Sequence, residues 1–193
     1  MAESETTVPA APPPECPAPE PSNTSEEKTL PKLSASEFRT YNHMAEHMDY
    51  YHNHFRATWN TMMSACDAGK RPKNLSIRQF LQLGLQFCHQ LTMHHTIEEQ
   101  HVFPVLGRKM PAFKNRDELL AQHQKIHEGL EKLEEYLEAC RGGERELRLG
   151  ELKGVLDGFG KVLWQHLDDE VKQLGAENMR KYWTPEEMRR MPM

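Results

Sequence analysis

The sequence predicts an all-α protein, an antiparallel up-down-up-down four-helix bundle behind a disordered N-terminal tail. Three observations carry this. Four stretches repeat apolar residues at spacings of three and four, the period of a helix with one buried face. Each stretch is bounded by helix start and stop residues. No stretch alternates with period two for long enough to make a strand. Four amphipathic helices with short connections bury their stripes against one another as a bundle, and 193 residues suffice for one domain with a sizeable core.

Residues 1–33 hold eight of the thirteen prolines and almost no large apolar side chains. Such a segment cannot offset its own ordering entropy and is expected to be disordered. Ser34-Ala-Ser-Glu37 is a capping box. The first stripe follows as Met44, Met48, His52, Phe55, Trp59 and Met62, with Gly69 as its stop. Ser76-Ile-Arg-Gln79 is a second capping box. It opens the stripe Phe80, Leu83 or Gly84, Phe87, Leu91, His94, Glu98, Val102 and Val105, which Pro104 should bend or end. Asn115-Arg-Asp-Glu118 starts the third helix, whose stripe is Leu119 or Leu120, His123, His127, Leu130, Leu133 and Leu137 before Gly142-Gly143. The fourth stripe is Leu152, Leu156, Phe159, Leu163, His166, Glu170 and Leu174. Gly154, Gly158 and Gly160 lie within it, and close helix packing is the expected reason for them. Thr184-Pro-Glu-Glu187 caps one short last helix, with Pro185 in its first position. The expected helices span 34–68, 76–108, 116–140 and 146–176. The expected organisation is a tail over 1–33, a metal-binding bundle over 34–180 and a short extension over 181–193.

The net charge of −5 is unevenly placed: six Glu and two Lys give residues 1–33 a charge of −4, which leaves −1 for the remaining 160. That balance excludes a nucleic-acid surface, which needs a basic patch. Every apolar run is interrupted too early for a membrane span. The first residues carry neither a secretory signal nor an Arg-rich transit sequence. The cysteines Cys16, Cys66, Cys88 and Cys140 match no zinc or CxxC spacing. They are expected to be reduced thiols in a cytoplasmic protein.

Three phrases stand out: His94-x-x-x-Glu98, His123-x-x-x-His127 and His166-x-x-x-Glu170. On a helix, residues four apart stack on one face, and each pair sits on its helix's apolar stripe. The six polar residues therefore interrupt the core of consecutive helices. On the first helix His52 extends the stripe; His54, roughly 160° round from it, is the alternative. His95 with Glu99 repeats the spacing but falls toward the edge of the apolar face. His43, His47, His89 and His101 read as surface or supporting residues. Burying five imidazoles and two carboxylates costs a few kcal/mol for each unpaired group, so the set points to bound metal. Structural zinc takes four ligands. Seven candidates, His52, His94, Glu98, His123, His127, His166 and Glu170, exceed that and point to two ions. Iron fits a His-rich, carboxylate-bridged pair, and unclustered cysteines exclude an iron–sulfur cluster.

This pattern resembles the hemerythrin family, the HHE cation-binding domains, over about residues 44–175. His94-His-Thr-Ile-Glu98-Glu99-Gln-His-Val-Phe103-Pro104 is similar to the family's second-helix signature, and His123-x-x-x-His127 and His166-x-x-x-Glu170 are similar to its third and fourth helices. The resemblance implies an antiparallel bundle around a non-haem di-iron site. Glu98 and Glu170 would bridge two iron ions together with an oxo or hydroxo group. The histidines would fill terminal positions, and one iron would keep a place for a small ligand. The family's oxygen carriers have an Asp five residues after the last His, where this chain has Val171. That departs from a pure oxygen-storage role. Ferritin-like enzymes use Glu-x-x-His, the opposite order.

The expected function is therefore a non-haem di-iron protein that binds or senses dioxygen, nitric oxide or iron, with no nucleic-acid or membrane partner. The alternative is a di-iron oxidase, peroxidase or nitric-oxide-handling enzyme using the same residues.

Overall fold

The computed structural model describes residues 30–114 and 117–192, and among these every regular element is helical. The expected tail lies largely outside the described residues, as do Asn115 and Arg116 of the expected third capping box. Four long helices carry the fold: α1 (Ala35–Ala68), α2 (Ile77–Ile97), α5 (Asp117–Gly142) and α6 (Leu149–Leu174). Between α2 and α5 lie a π-helical turn (Glu98–Val102) and two one-turn helices, α3 (Phe103–Leu106) and α4 (Pro111–Lys114). Two more, α7 (Ala176–Met179) and α8 (Pro185–Met188), follow α6.

The termini form where the local chemistry dictates. Ser34 Oγ accepts the Glu37 backbone N–H at 3.3 Å, while the Glu37 carboxylate accepts the Ser34 N–H at 2.9 Å. Ser76 and Gln79 repeat this reciprocal cap on α2, and Thr184 and Glu187 on α8. Gly69 ends α1 in the left-handed region at φ 62°, and the Lys70 N–H reaches back to the Ala65 carbonyl at 3.1 Å. Helix α6 has no side-chain cap from its own first residues. Instead the Tyr136 hydroxyl, from α5, accepts the Arg148 N–H and donates to the Arg148 carbonyl, each at 2.9 Å.

The one helix expected over 76–108 is interrupted. Pro104 has no N–H, and a proline ring clashes with the carbonyl four residues before it, here Gln100. The backbone widens just ahead of it, so that the Phe103 N–H donates to the Glu98 carbonyl five residues back. Such π turns concentrate at functional positions, and this one carries Glu98.

Helix α1 packs against α6 and α2, and α5 packs against α2 and α6. Two apolar clusters result. One is built on Phe55, Trp59, Phe87, Leu91, Leu130 and Leu163. The other is built on Met44, Met48, Phe103, Phe113 and Leu174. Trp183, Met188 and Met191 complete the second cluster, so residues beyond 180 contribute core. Close approaches explain two glycines. A Cβ on Gly160 would lie 2.8 Å from Trp59 Cζ2, and one on Gly129 would fall onto the Phe159 ring. Gly154 and Gly158 face open space. Among the described residues, no helix is long and apolar enough to cross a membrane.

Candidate metal centre

Each long helix interrupts its apolar stripe at the same level. His52 follows Met48 and precedes Phe55 on α1; His95 and Glu98 fall between Leu91 and Val102; His123 lies between Leu119 and Ile126; His166 and Glu170 lie between Leu163 and Leu174. All six are buried. They form a polar layer between the two apolar clusters, and His94 joins it half-buried, its side chain 12% exposed.

The layer divides into two groups whose ligand atoms all lie within 4.8 Å of one another: His52, His94, Glu98 and Glu170, and His95, Glu98, His123 and His166. Glu98 belongs to both. Six of the seven residues singled out from the sequence are thus brought together. His127 is half-buried beside them, its ring centroid 5.4 Å from that of His95, and stands in neither group. Exposed His54 contacts Gln90 instead.

His95 is the residue that the register argument left aside. The face of α2 is wide because it meets two neighbours. His94 turns toward α1, with its Nε2 3.2 Å from His52 Nε2. His95 turns toward α5 and stacks on His123, centroids 4.0 Å apart and planes 11° apart. The signal was present in Leu91, four residues before His95. On α5 the buried line runs through Ile126 rather than His127, in steps of three and then four from His123 to Leu130.

The outer ring nitrogens fix the tautomers. His52 Nδ1 lies 3.0 Å from the Leu167 carbonyl, His123 Nδ1 2.6 Å from Glu99 Oε1, and His166 Nδ1 3.3 Å from Gln122 Oε1. A carbonyl or carboxylate only accepts, so Nδ1 donates in each case and Nε2 of a neutral ring carries a lone pair. His123 Nε2 and His166 Nε2 then face each other at 3.2 Å, lone pair to lone pair. Two lone pairs repel at that distance unless a cation lies between or beside them. A ligating imidazole with its outer N–H held by an acceptor is the usual arrangement around a metal.

The carboxylates agree. Neither oxygen of Glu98 or Glu170 accepts a hydrogen bond, and neither nitrogen of His95 has a partner. Glu98 Oε1 does lie 2.8 Å from His94 Nε2, though not along a hydrogen-bond direction. Burial, reinforced by the nearby Glu170 charge, raises the Glu98 carboxyl well above the ordinary range. Burial also acts to raise Glu170, whereas protons on His52, His166 and His94 around it would hold it below its usual value. Burial pushes His94 down to about 3 and His166 to about 4 and drives His95 far down, which keeps these rings neutral and able to ligate. Nitrogen and carboxylate donors in two sets sharing one acid can hold metal cations.

The Hemerythrin HHE cation binding domain model matches residues 43–176 of this chain. The chain is 27% identical over 150 residues to the dimeric xanthone biosynthesis cluster protein R11 of Cryptosporiopsis sp. (strain 8999). That match covers 75% of this chain and 56% of the relative, so the chain spans little more than half of that protein's length. No solved structure matches.

Proposed function

This chain belongs to the hemerythrin HHE cation-binding domain family, and from that premise we propose that it is a non-haem di-iron protein that binds or senses dioxygen, nitric oxide or iron. Its long helices would run as the antiparallel up-down-up-down bundle of that family. The observation that carries the reading is the pair of imidazole nitrogens of His123 and His166, aimed at each other at 3.2 Å with their outer N–H groups already committed. One ion would be held by His52, His94, Glu98 and Glu170. The other would be held by His123, His166, Glu98 and His95, with His127 as the alternative to His95.

Bound iron supplies one-electron redox chemistry and a coordination position for a small ligand. The protein does the rest. Leu167, Glu99 and Gln122 hold three imidazoles in the ligating tautomer. Burial, with the Glu170 charge beside it, favours the proton on Glu98, and a bound cation would take that proton's place. The two apolar clusters exclude water from both sides of the layer. His94, 12% exposed, marks the side from which a ligand would approach. Free Cys66, Cys88 and Cys140 support a cytoplasmic location.

A second reading, a di-iron oxidase, draws support from the relative, whose name places that protein in a biosynthesis cluster. Anaerobic loading with ferrous iron, elemental analysis and then exposure to air tests both. Two irons per chain and a visible band that reverses under argon support the binding protein. Irreversible bleaching with turnover supports the oxidase. One zinc and no iron in the purified chain would overturn both.

A further inference from the structure

A half-open groove of about 990 Å³ lies along α1 and α2. His94 and Glu98 of the candidate centre form part of its lining. A diatomic ligand needs roughly the share of space of one water, about 30 Å³, so the groove is on the order of thirty times too large for one. Its volume is that of a site for an organic molecule.

The lining states the chemistry. Eight large hydrophobic side chains are exposed among the described residues, and four of them, Tyr50, Tyr51, Met93 and Ile97, lie in this groove. Buried Met48 and Phe55 continue the apolar wall inward. Tyr51 and Phe55 bring their rings to 5.9 and 5.1 Å from the His94 ring, a shelf on which a flat molecule can lie. Met93 and Met48 add adaptable, polarizable contacts. The polar part of the lining includes Asn53, His54, Gln90 and His101, which offer donors and acceptors suited to hydroxyl groups. No Lys or Arg lines the groove among the described residues, and Glu98 lies at its inner end, so a phosphate, sulfonate or carboxylate would meet a carboxyl group and no permanent cation there. At the inner end, Glu98 is buried, and neither of its oxygens accepts a hydrogen bond.

We propose that this groove binds an uncharged aromatic molecule bearing hydroxyl groups, held with one edge against His94 and Glu98. Its placement beside a metal rests on the function proposed above; the affinity of the groove does not. A phenol hydroxyl would meet the polar inner end while the ring lies against Tyr51, Met93 and Ile97. The occupant is thereby distinguished from an anion by charge and from an aliphatic chain by the aromatic shelf.

Calorimetric titration of the full chain, metal-free and iron-loaded, with 2-naphthol and with naphthalene-2-sulfonate tests this. The expected result is saturable one-to-one binding of naphthol in both forms, with the sulfonate weaker by about tenfold or more. Ile97→Glu, on the groove wall, should weaken naphthol by at least about tenfold. Ile77→Glu, equally exposed but away from the groove, should leave binding unchanged. No saturable binding by a chain that takes up iron overturns the groove proposal. So does a sulfonate that binds as tightly as naphthol, or an Ile97→Glu chain that behaves like Ile77→Glu. Naphthol binding by a chain that takes up no iron supports the groove and overturns the di-iron reading.

Discussion

Replacing His95 with Phe should separate what the polar layer costs from what metal returns to it. Three side chains of the layer, His95, Glu98 and Glu170, carry buried nitrogen or oxygen atoms with no hydrogen-bond partner. At about 1–3 kcal/mol for each unsatisfied group, the metal-free layer costs about 3–9 kcal/mol, against a total stability of about 5–15 kcal/mol for a domain. For a chain of this size, about 1 kcal/mol moves Tm by about 2–4 °C. Iron should therefore raise Tm by on the order of 10–30 °C over the chelated protein. His95→Phe keeps the stack on His123, now 4.0 Å between centroids, and removes one of the three orphans. Metal-free His95→Phe should thus melt above metal-free wild type, by about 1–3 kcal/mol, while its gain on adding iron shrinks. Differential scanning calorimetry, with elemental analysis of each sample, reads both. The reasoning is refuted if chelated wild type melts within about 2 °C of the loaded protein. It is equally refuted if His95→Phe melts below metal-free wild type yet keeps the full iron-linked rise.

Further outcomes follow from other contacts. Glu99→Gln weakens the hold on His123 Nδ1, now 2.6 Å from the carboxylate, and should lower iron affinity by about 10–100-fold in competition with a chelator, with helicity unchanged; an unaltered affinity would remove Glu99 from the centre. Gly129→Ala drives a methyl onto Phe159 and should cost about 1–3 kcal/mol, whereas Gly158→Ala, facing open space, should gain up to about 1 kcal/mol; urea midpoints that rank the two the other way would contradict the packing described. The metal-free chain should also lose stability as pH falls below 6.5. His94 and His166, held down to about 3 and about 4, bind protons in the unfolded chain first, from the ordinary value of 6.5. Each contributes a loss of about 1.4 kcal/mol per pH unit within that window. Glu98, whose pKa is raised, acts with the opposite sign but is outnumbered once His95 is included. Urea midpoints that hold steady or rise between about pH 6.5 and 4.5 would count against this balance.

Much of the molecule could be read from local chemistry. Ser34, Ser76 and Thr184 cap where their spacing to Glu37, Gln79 and Glu187 says they should, because a capping box involves only four consecutive residues. His52, His94, Glu98, His123, His166 and Glu170 converge because a stripe on each helix fixes which side chains face inward. What was illegible depends on neighbours. Whether α2 presents one histidine or two follows from its lying against both α1 and α5, which no single-helix period reveals. His127 and Ile126 differ by one step, and the tertiary packing places Ile126 in the core. Gly129 needs Phe159, thirty residues away, to explain it. The Tyr136 hydroxyl that starts α6 belongs to another helix altogether.

The π-helical turn at Glu98–Val102 lets one face serve two claimants. Successive residues on an α-helix diverge by about 100°, so an uninterrupted helix that aimed Glu98 and Val102 inward would swing Phe103 aside. Here Val102 and Phe103 are both buried, and so is Glu98. The turn acts as a phase shifter: the helix before it keeps time with Leu91 and His95, the helix after it with Phe103 and Leu106. Removing a single residue from positions 99–101 would restore a regular helix and force a choice between the shared carboxylate and the aromatic anchor. Length at this point, as much as residue identity, is therefore a property the chain must keep.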